Sequence, residues 1–135
     1  MTSPLRISFV QMDLVWEDKQ QNLSRTEEKI KSLRGQTDLV VLPEMFSTGF
    51  SMQSHALAEP LSGETITRIK KWAKEYNFAI AGSFICCEEG NYYNRAFFIT
   101  PGEEEHYYDK HHLFRMGNEH QHFTPGTQRC IVNYM

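Results

Sequence analysis

Residues 39–44 read LVVLPE, and the rest of the fold can be built outward from this stretch. Four apolar residues before a proline predict a buried strand that ends at Pro43, because proline has no N–H to donate to a sheet ladder. The strand therefore delivers Glu44 to its C-terminal end. Beside Met45 and Phe46 we expect that carboxylate to be partly desolvated, which disfavours its charged form and suits a general base. A solvated loop carboxylate is the commoner interpretation of these residues taken alone.

The flanking sequence predicts helices and further strands. Dense apolar residues over 5–12 indicate a first strand with a well-buried inner face. A narrow apolar stripe over 18–34, ended by Gly35, predicts an amphipathic helix, and helical spacing over 64–76, closed by Asn77, predicts a second. Further strands are predicted over residues 78–85, 92–100, 106–108 and 128–134, with an irregular loop over 46–62. This order is typical of a layered α/β domain with a mixed sheet.

Composition and charge exclude several classes of protein. The chain has 135 residues, of which 40% are hydrophobic, enough for one domain with a real core. A net charge of -3, from 14 basic and 17 acidic side chains, leaves no basic stripe for nucleic acid. Acidic residues at 13, 17 and 18 interrupt any signal peptide or membrane span. Three cysteines cannot form an even disulfide framework, so we expect a cytoplasmic protein.

Two later segments carry further charged candidates. Lys110 lies in YDKHHLF, residues 108–114, after a predicted strand. Its ammonium can stabilise the negative charge that develops on an oxyanion. Glu119 lies in the loop GNEHQHFTPG, residues 117–126, where it either pairs with that lysine or faces water. Taken in isolation, each is more often a solvated surface residue.

Together, LPE, the Lys-x-His-Leu segment and the later loop glutamate resemble the nitrilase superfamily of carbon-nitrogen hydrolases. The wording PEMFSTGFSM at 43–52, YDKHHLF at 108–114 and EHQHFTPG at 119–126 is most similar to the bacterial omega-amidases. Those enzymes act on the terminal amide of small 2-oxo dicarboxylic acid monoamides. The resemblance implies that Glu44 is the general base, that Lys110 stabilises the tetrahedral intermediate and that Glu119 orients Lys110.

The resemblance also implies a cysteine nucleophile, in wording such as Cys-Tyr-Asp, after the lysine. Cys86 and Cys87 precede Lys110, and Cys130 lies in the body of a predicted strand. We therefore expect the nucleophile to lie beyond this chain, and residues 1–135 to be a single domain, the N-terminal part of a carbon-nitrogen hydrolase domain. The implied fold is half of a four-layer α-β-β-α sandwich, a mixed sheet with two helices on one face.

Such a half leaves an apolar sheet face uncovered, so we expect a homo-oligomer or association with the missing C-terminal half. The expected ligand is a small-molecule amide, with no metal, cofactor, nucleic acid or membrane involved. Phe46 and Phe50 are predicted to line its pocket, and Arg95 and Arg115 are available as counter-ions for an acid substrate.

Two alternatives remain open at this point. One is a catalytically inactive interaction subunit of the same fold. The other is a metal-binding module, since imidazole and carboxylate groups that can hold zinc crowd one stretch. Its candidate ligands are His106, Asp109, His111, His112, Glu119, His120 and His122.

Overall fold

The computed structural model describes residues 3–135 and contains a mixed five-stranded sheet in the order β1-β2-β3-β4-β5. Its first three strands run parallel and its last two pair antiparallel. This confirms the predicted α/β class and mixed sheet. The strands are β1 (Ile7–Phe9), β2 (Leu39–Val41), β3 (Ala79–Glu88), β4 (Asn91–Ile99) and β5 (Glu105–Asp109).

The described residues form four α-helices, three between strands and the last after β5: α1 (Lys19–Ile30), α2 (Ser54–Leu57), α3 (Glu64–Tyr76) and α4 (Glu119–His122). The α1 helix begins at Lys19 because the Asp18 carboxylate accepts a hydrogen bond from the free backbone N–H of Gln21. It ends earlier than predicted and continues as a 3-10 turn, Lys31–Leu33. The α3 helix has the predicted bounds, because Asn77 adopts the left-handed conformation that closes a helix. The loop over 46–62 contains the short α2, which its sequence pattern did not indicate.

The two long helices cover the same face of the sheet. Leu23 of α1 and Trp72 of α3 are both fully or almost fully buried, and they share one apolar cluster with Val40, Ile80 and Phe97 of the strands. Both helices therefore pack on one face, as expected. Burial of such side chains contributes about 1.5–3 kcal/mol each to folding.

The opposite face of the sheet is more open. Ile7 and Phe9 alternate with the helix-facing residues of β1 and remain 46% and 78% exposed, so the expectation that this strand has a well-buried inner face is wrong. A second apolar cluster, with Met45 and Phe123, buries the face at Ile85, and the C-terminal tail covers part of the rest, where the Tyr134 ring meets Phe98 edge-on at 5.4 Å. The strand predicted over 128–134 is absent, because these residues make no backbone ladder and Ile131 is 86% exposed.

A tight hairpin joins β3 to β4. Its two turn residues, Glu89 and Gly90, have φ values of 50° and 79°, the positive range that matches the twist of paired strands. Nine residue pairs follow from this turn, with Phe84 opposite Arg95 and Ile85 opposite Asn94. The hairpin therefore sets which β4 side chains point to the open face.

Candidate active site

Glu44 lies just beyond β2, on the open face. Its neighbour Met45 has a φ of 48°, a strained conformation for a residue other than glycine, and is held there by a 2.8 Å hydrogen bond from its N–H to the buried Ser83 hydroxyl. This turn aims the Glu44 side chain away from the core. That side chain is 48% exposed, so the carboxylate is only partly removed from solvent.

Lys110 directly follows β5, and two backbone hydrogen bonds fix its position. Its N–H donates to the Asn94 carbonyl, and its own carbonyl accepts from the Gly126 N–H, both at 3.0 Å. A Cβ at Gly126 would overlap the carbonyl of Asp109, so only glycine fits there. The ammonium lies 3.0 Å from Glu44 Oε2 and 3.0 Å from Glu119 Oε1, and 5.3 Å from the centre of the Phe50 ring.

Glu119 is the first residue of α4, and its side chain is fully buried. Besides the lysine contact, Oε1 accepts the Phe114 N–H at 2.6 Å and Oε2 accepts the Asn94 amide at 3.0 Å. Burial alone raises the pKa of Glu119, but the Phe114 N–H, Asn94 and Lys110 outweigh it and hold that pKa below its ordinary value. Of the two options left open by the sequence, the structure shows pairing with Lys110.

Asn94 completes the cluster and was missed by the sequence analysis. It is 3% exposed in the middle of β4, and its Nδ2 donates to Glu44 Oε2 at 2.7 Å and to Glu119 Oε2 at 3.0 Å. One signal was available: an amide inside the apolar strand YYNRAFFI needs a buried partner.

The four side chains form a charged unit with two carboxylates and one ammonium. Burial lowers the pKa of Lys110, yet its hydrogen bonds and charge interactions with Glu119 and Glu44 prevail and raise that pKa above its ordinary value. The lysine is therefore a fixed positive charge at neutral pH. Beside it opens a cavity of about 280 Å³, lined by Leu42, Glu44, Gly82, Ser83, Asn94, Ala96, Tyr108 and Lys110.

The structure separates the predicted pocket aromatics. Phe50 is half-buried and contacts the Lys110 ammonium, so it borders the cluster. Phe46 is fully buried in the helix-covered core and meets Phe97 edge-on at 6.0 Å. We therefore correct the expectation that Phe46 lines the pocket: the backbone turn at Met45 directs Phe46 inward and Glu44 outward.

The two candidate counter-ions are not equivalent either. Arg95 neighbours Asn94 on β4, so it points to the other face of the sheet, where it is buried and bonded to Asp109 at 2.6 Å. It is not available to a substrate beside Glu44. Arg115 is exposed on a 3-10 turn, Arg115–Gly117, ahead of α4.

The three cysteines do not supply a reactive thiol beside this cluster. Cys86 is packed in the helix-covered core, and burial raises the pKa of its thiol to about 12, which keeps it protonated and inert. Cys87 is partly buried, and Cys130 is exposed in the tail; all three are free.

The histidines do not form a metal centre in the described part of the chain. Among residues 3–135 no group of three His, Cys, Asp or Glu side chains is arranged to hold a metal ion. The His111 ring instead lies 2.6 Å from the Gly126 carbonyl through Nδ1, which ties it to the backbone. No helix in this range is long and apolar enough to cross a membrane.

Comparison with known proteins agrees with this fold. The carbon-nitrogen hydrolase family model matches residues 6–132, so the chain belongs to the carbon-nitrogen hydrolase family. The resemblance inferred from the motifs is thereby confirmed.

Individual proteins of known activity or structure are similar to this chain over most of its length. Omega-amidase YafV of Escherichia coli K12 is 37% identical over 130 residues, 96% of this chain and 50% of that protein. A crystal structure of a CN-hydrolase superfamily protein from Xanthomonas campestris, with an arsenic adduct in its active site, superposes with a TM-score of 0.95 at 39% identity, covering 98% of this chain and 50% of that one. The 2-oxoglutaramate amidase of Bacillus subtilis is 28% identical over 125 residues, 90% of this chain and 48% of that protein. The chain thus spans about half the length of these relatives.

Proposed function

We propose that this chain contributes the acid–base and oxyanion-stabilising half of an amidase site that hydrolyses the carbon-nitrogen bond of a small carboxylic acid amide. The observation that carries the proposal is the Lys110 ammonium, 3.0 Å from a carboxylate oxygen of Glu44 and 3.0 Å from one of Glu119. The omega-amidase relatives support a terminal amide as the substrate, with 2-oxoglutaramate as the first compound to test.

The roles of the three residues follow from which atoms are already engaged. Both hydrogen bonds that residues 3–135 give to Glu44 use Oε2, so Oε1 is the oxygen that takes a proton. Lys110 spends two of its three N–H donors on the carboxylates, and the third serves the oxyanion of a tetrahedral intermediate. Glu119 is fully buried and holds the ammonium in place.

The proposed reaction needs a thiol, which we assign to a polypeptide segment outside this chain. Glu44 Oε1 takes the thiol proton, the thiolate attacks the amide carbon, and collapse of the tetrahedral oxyanion expels ammonia, which leaves with the proton from Glu44. Water then hydrolyses the thioester with Glu44 as base, which regenerates the thiol.

The open sheet face is the proposed surface for that segment. It carries the exposed Ile7 and Phe9 and, at 37% exposure, Tyr108, apolar area of the kind that drives association. We propose that a C-terminal half packs on this face and brings the thiol to the cavity; a second copy of this chain is the alternative occupant. Free cysteines suit the reducing cytoplasm proposed for the complex.

The test is ammonia release from 2-oxoglutaramate by the chain mixed with a separately produced C-terminal half of an omega-amidase relative. We expect activity in the mixture, and a loss of at least about 100-fold in kcat for Glu44→Gln, because general-base catalysis contributes that much or more. The matched control is Glu28→Gln, since Glu28 pairs with Lys31 on the exposed face of α1. A bound but inactive mixture would favour an interaction subunit, and equal activity of both variants would refute the role of Glu44.

A further inference from the structure

Asn94 lies between two carboxylates that also share one lysine. Its Nδ2 carries two hydrogens, and its two contacts, to Glu44 Oε2 at 2.7 Å and Glu119 Oε2 at 3.0 Å, use one each. The orientation of the amide is settled, because both neighbouring atoms only accept hydrogen bonds. With Lys110 on the other side, the four residues close a ring in which each carboxylate contacts both donors.

The charges explain why a neutral donor is needed in this ring. Two carboxylates and one ammonium carry a net charge of −1, and like charges held together favour uptake of a proton. A second cation would remove that charge but would compete with Lys110 for both glutamates. An amide satisfies one oxygen of each carboxylate without adding charge, and its hydrogen bond is among the causes that lower the pKa of Glu119.

The backbone holds Asn94 rigidly in this place. The residue is 3% exposed in the interior of β4, opposite Ile85 of β3, and its carbonyl accepts the N–H of Lys110 at 3.0 Å. The same residue therefore anchors the lysine through its main chain and both glutamates through its side chain. Glu44, by contrast, is half-exposed and has no comparable packing of its own.

We propose that Asn94 is a positioning residue for the amide hydrolysis proposed above: it bonds one oxygen of Glu44 and one of Glu119 and so holds the two carboxylates at a spacing from which both reach Lys110. The inference rests on the proposed function only for its catalytic consequence. This arrangement leaves Glu44 Oε1 free for a reacting group, because Asn94 and Lys110 both bond Oε2 of Glu44. It also leaves one N–H of Lys110 free, because the other two contact Glu44 and Glu119.

The test is a carboxyl titration of the 135-residue chain by carbon-13 NMR, which needs no catalysis. In Asn94→Leu we expect the midpoint of Glu119 to rise by about one pH unit, since a hydrogen bond to a charged group is lost. The control is Thr100→Val, since Thr100 is a similarly buried polar residue just past the end of β4. Its hydroxyl accepts the backbone N–H of Glu104 and contacts neither Glu44 nor Glu119. An unchanged Glu119 midpoint in folded Asn94→Leu would overturn the proposal.

A second variant serves if Asn94→Leu does not fold. Asn94→Asp keeps the shape but replaces the donor with a third acid between Glu44 and Glu119. We expect it to bind one more proton than the parent chain near neutral pH, and to lose stability relative to the parent as pH rises from 5 to 8. A stability difference that does not change over this range would contradict the proposal.

Activity gives a separate readout. In the reconstituted mixture Asn94→Leu should lower kcat with little change in KM, because both hydrogens of the Asn94 amide are already bonded to the two glutamates. If the mixture is inactive for every variant while the Glu119 midpoint shifts as expected, the proposed function fails and the positioning role stands.

Discussion

Removal of the Lys110 ammonium tests how strongly the charged cluster is coupled to the fold. In Lys110→Met the fully buried Glu119 carboxylate loses its cation. Breaking a buried ion pair in this way costs about 3–5 kcal/mol. The lysine is 30% exposed, and Glu119 keeps the Phe114 and Asn94 donors, so we expect a smaller loss, about 2–3 kcal/mol in the free energy of unfolding at pH 7. For a chain of this length that is roughly 7–10 °C in Tm.

The loss should depend on pH with a defined sign. The pKa of Glu119 is lower in the folded chain than in the unfolded chain, where it is about 4.3. The ionised carboxylate therefore adds its full stability above the unfolded-state pKa. That contribution is lost as the pH falls through the folded-state pKa. Once Glu119 is protonated it no longer needs the cation. The difference in free energy of unfolding between the parent chain and Lys110→Met should therefore become smaller from pH 7 to pH 3.

Urea unfolding at both pH values measures this difference. The matched control is Lys70→Met, which breaks the Lys70–Glu105 pair, also at 3.0 Å but with side chains 45% and 35% exposed. We expect this control to lose only about 0–1 kcal/mol, as exposed pairs do. Equal losses in the two variants at pH 7, or a Lys110→Met loss that stays constant into acid, would refute the reasoning.

Two further predictions concern a thiol and a glycine. At pH 8 an alkylating reagent should label the exposed Cys130 rapidly and Cys86 only in urea, because burial raises the Cys86 pKa to about 12; peptide mass spectrometry showing equal rates in native buffer would contradict this. Gly126→Ala should destabilise the chain by about 1–3 kcal/mol because its Cβ overlaps the Asp109 carbonyl, whereas Gly102→Ala, whose Cβ meets only Thr100 Oγ1 at 3.8 Å, should change stability by about 0.5 kcal/mol or less. Equal urea midpoints for these two variants would show that the backbone yields at Gly126.

The sequence pattern of a segment was sufficient to predict its structure where that structure depends on the segment alone. The α3 helix carries its period, and its closing Asn77 determines its end, so Glu64–Tyr76 was predictable residue by residue. Pro43 ends the second strand in the same local manner, which put Glu44 at a strand end. The chain order of Glu44, Lys110 and Glu119 then indicated the family that the comparison shows.

The sequence pattern of a segment failed where its structure depends on contacts with a second segment. Whether β1 is buried depends on what covers its open side, and whether residues 128–134 form a strand depends on a neighbouring edge; neither is written in the segment itself. The inward direction of Phe46 follows from the left-handed turn at Met45, which Ser83 stabilises from a distant strand. Asn94 was missed because its partners lie 50 and 25 residues away.

The two-residue turn at Glu89 and Gly90 has a consequence for chemistry. Side chains alternate along a strand, so a turn lengthened by a single residue would shift β4 against β3 and exchange the faces of Asn94 and Arg95. The Tyr93 phenol would then take the place between the two glutamates, and the Asn94 amide would face Asp109 in the core. The length of the turn at the far end of the hairpin thus decides whether the centre keeps the amide that donates to both glutamates, which makes an insertion there as disruptive as a substitution among the reacting side chains.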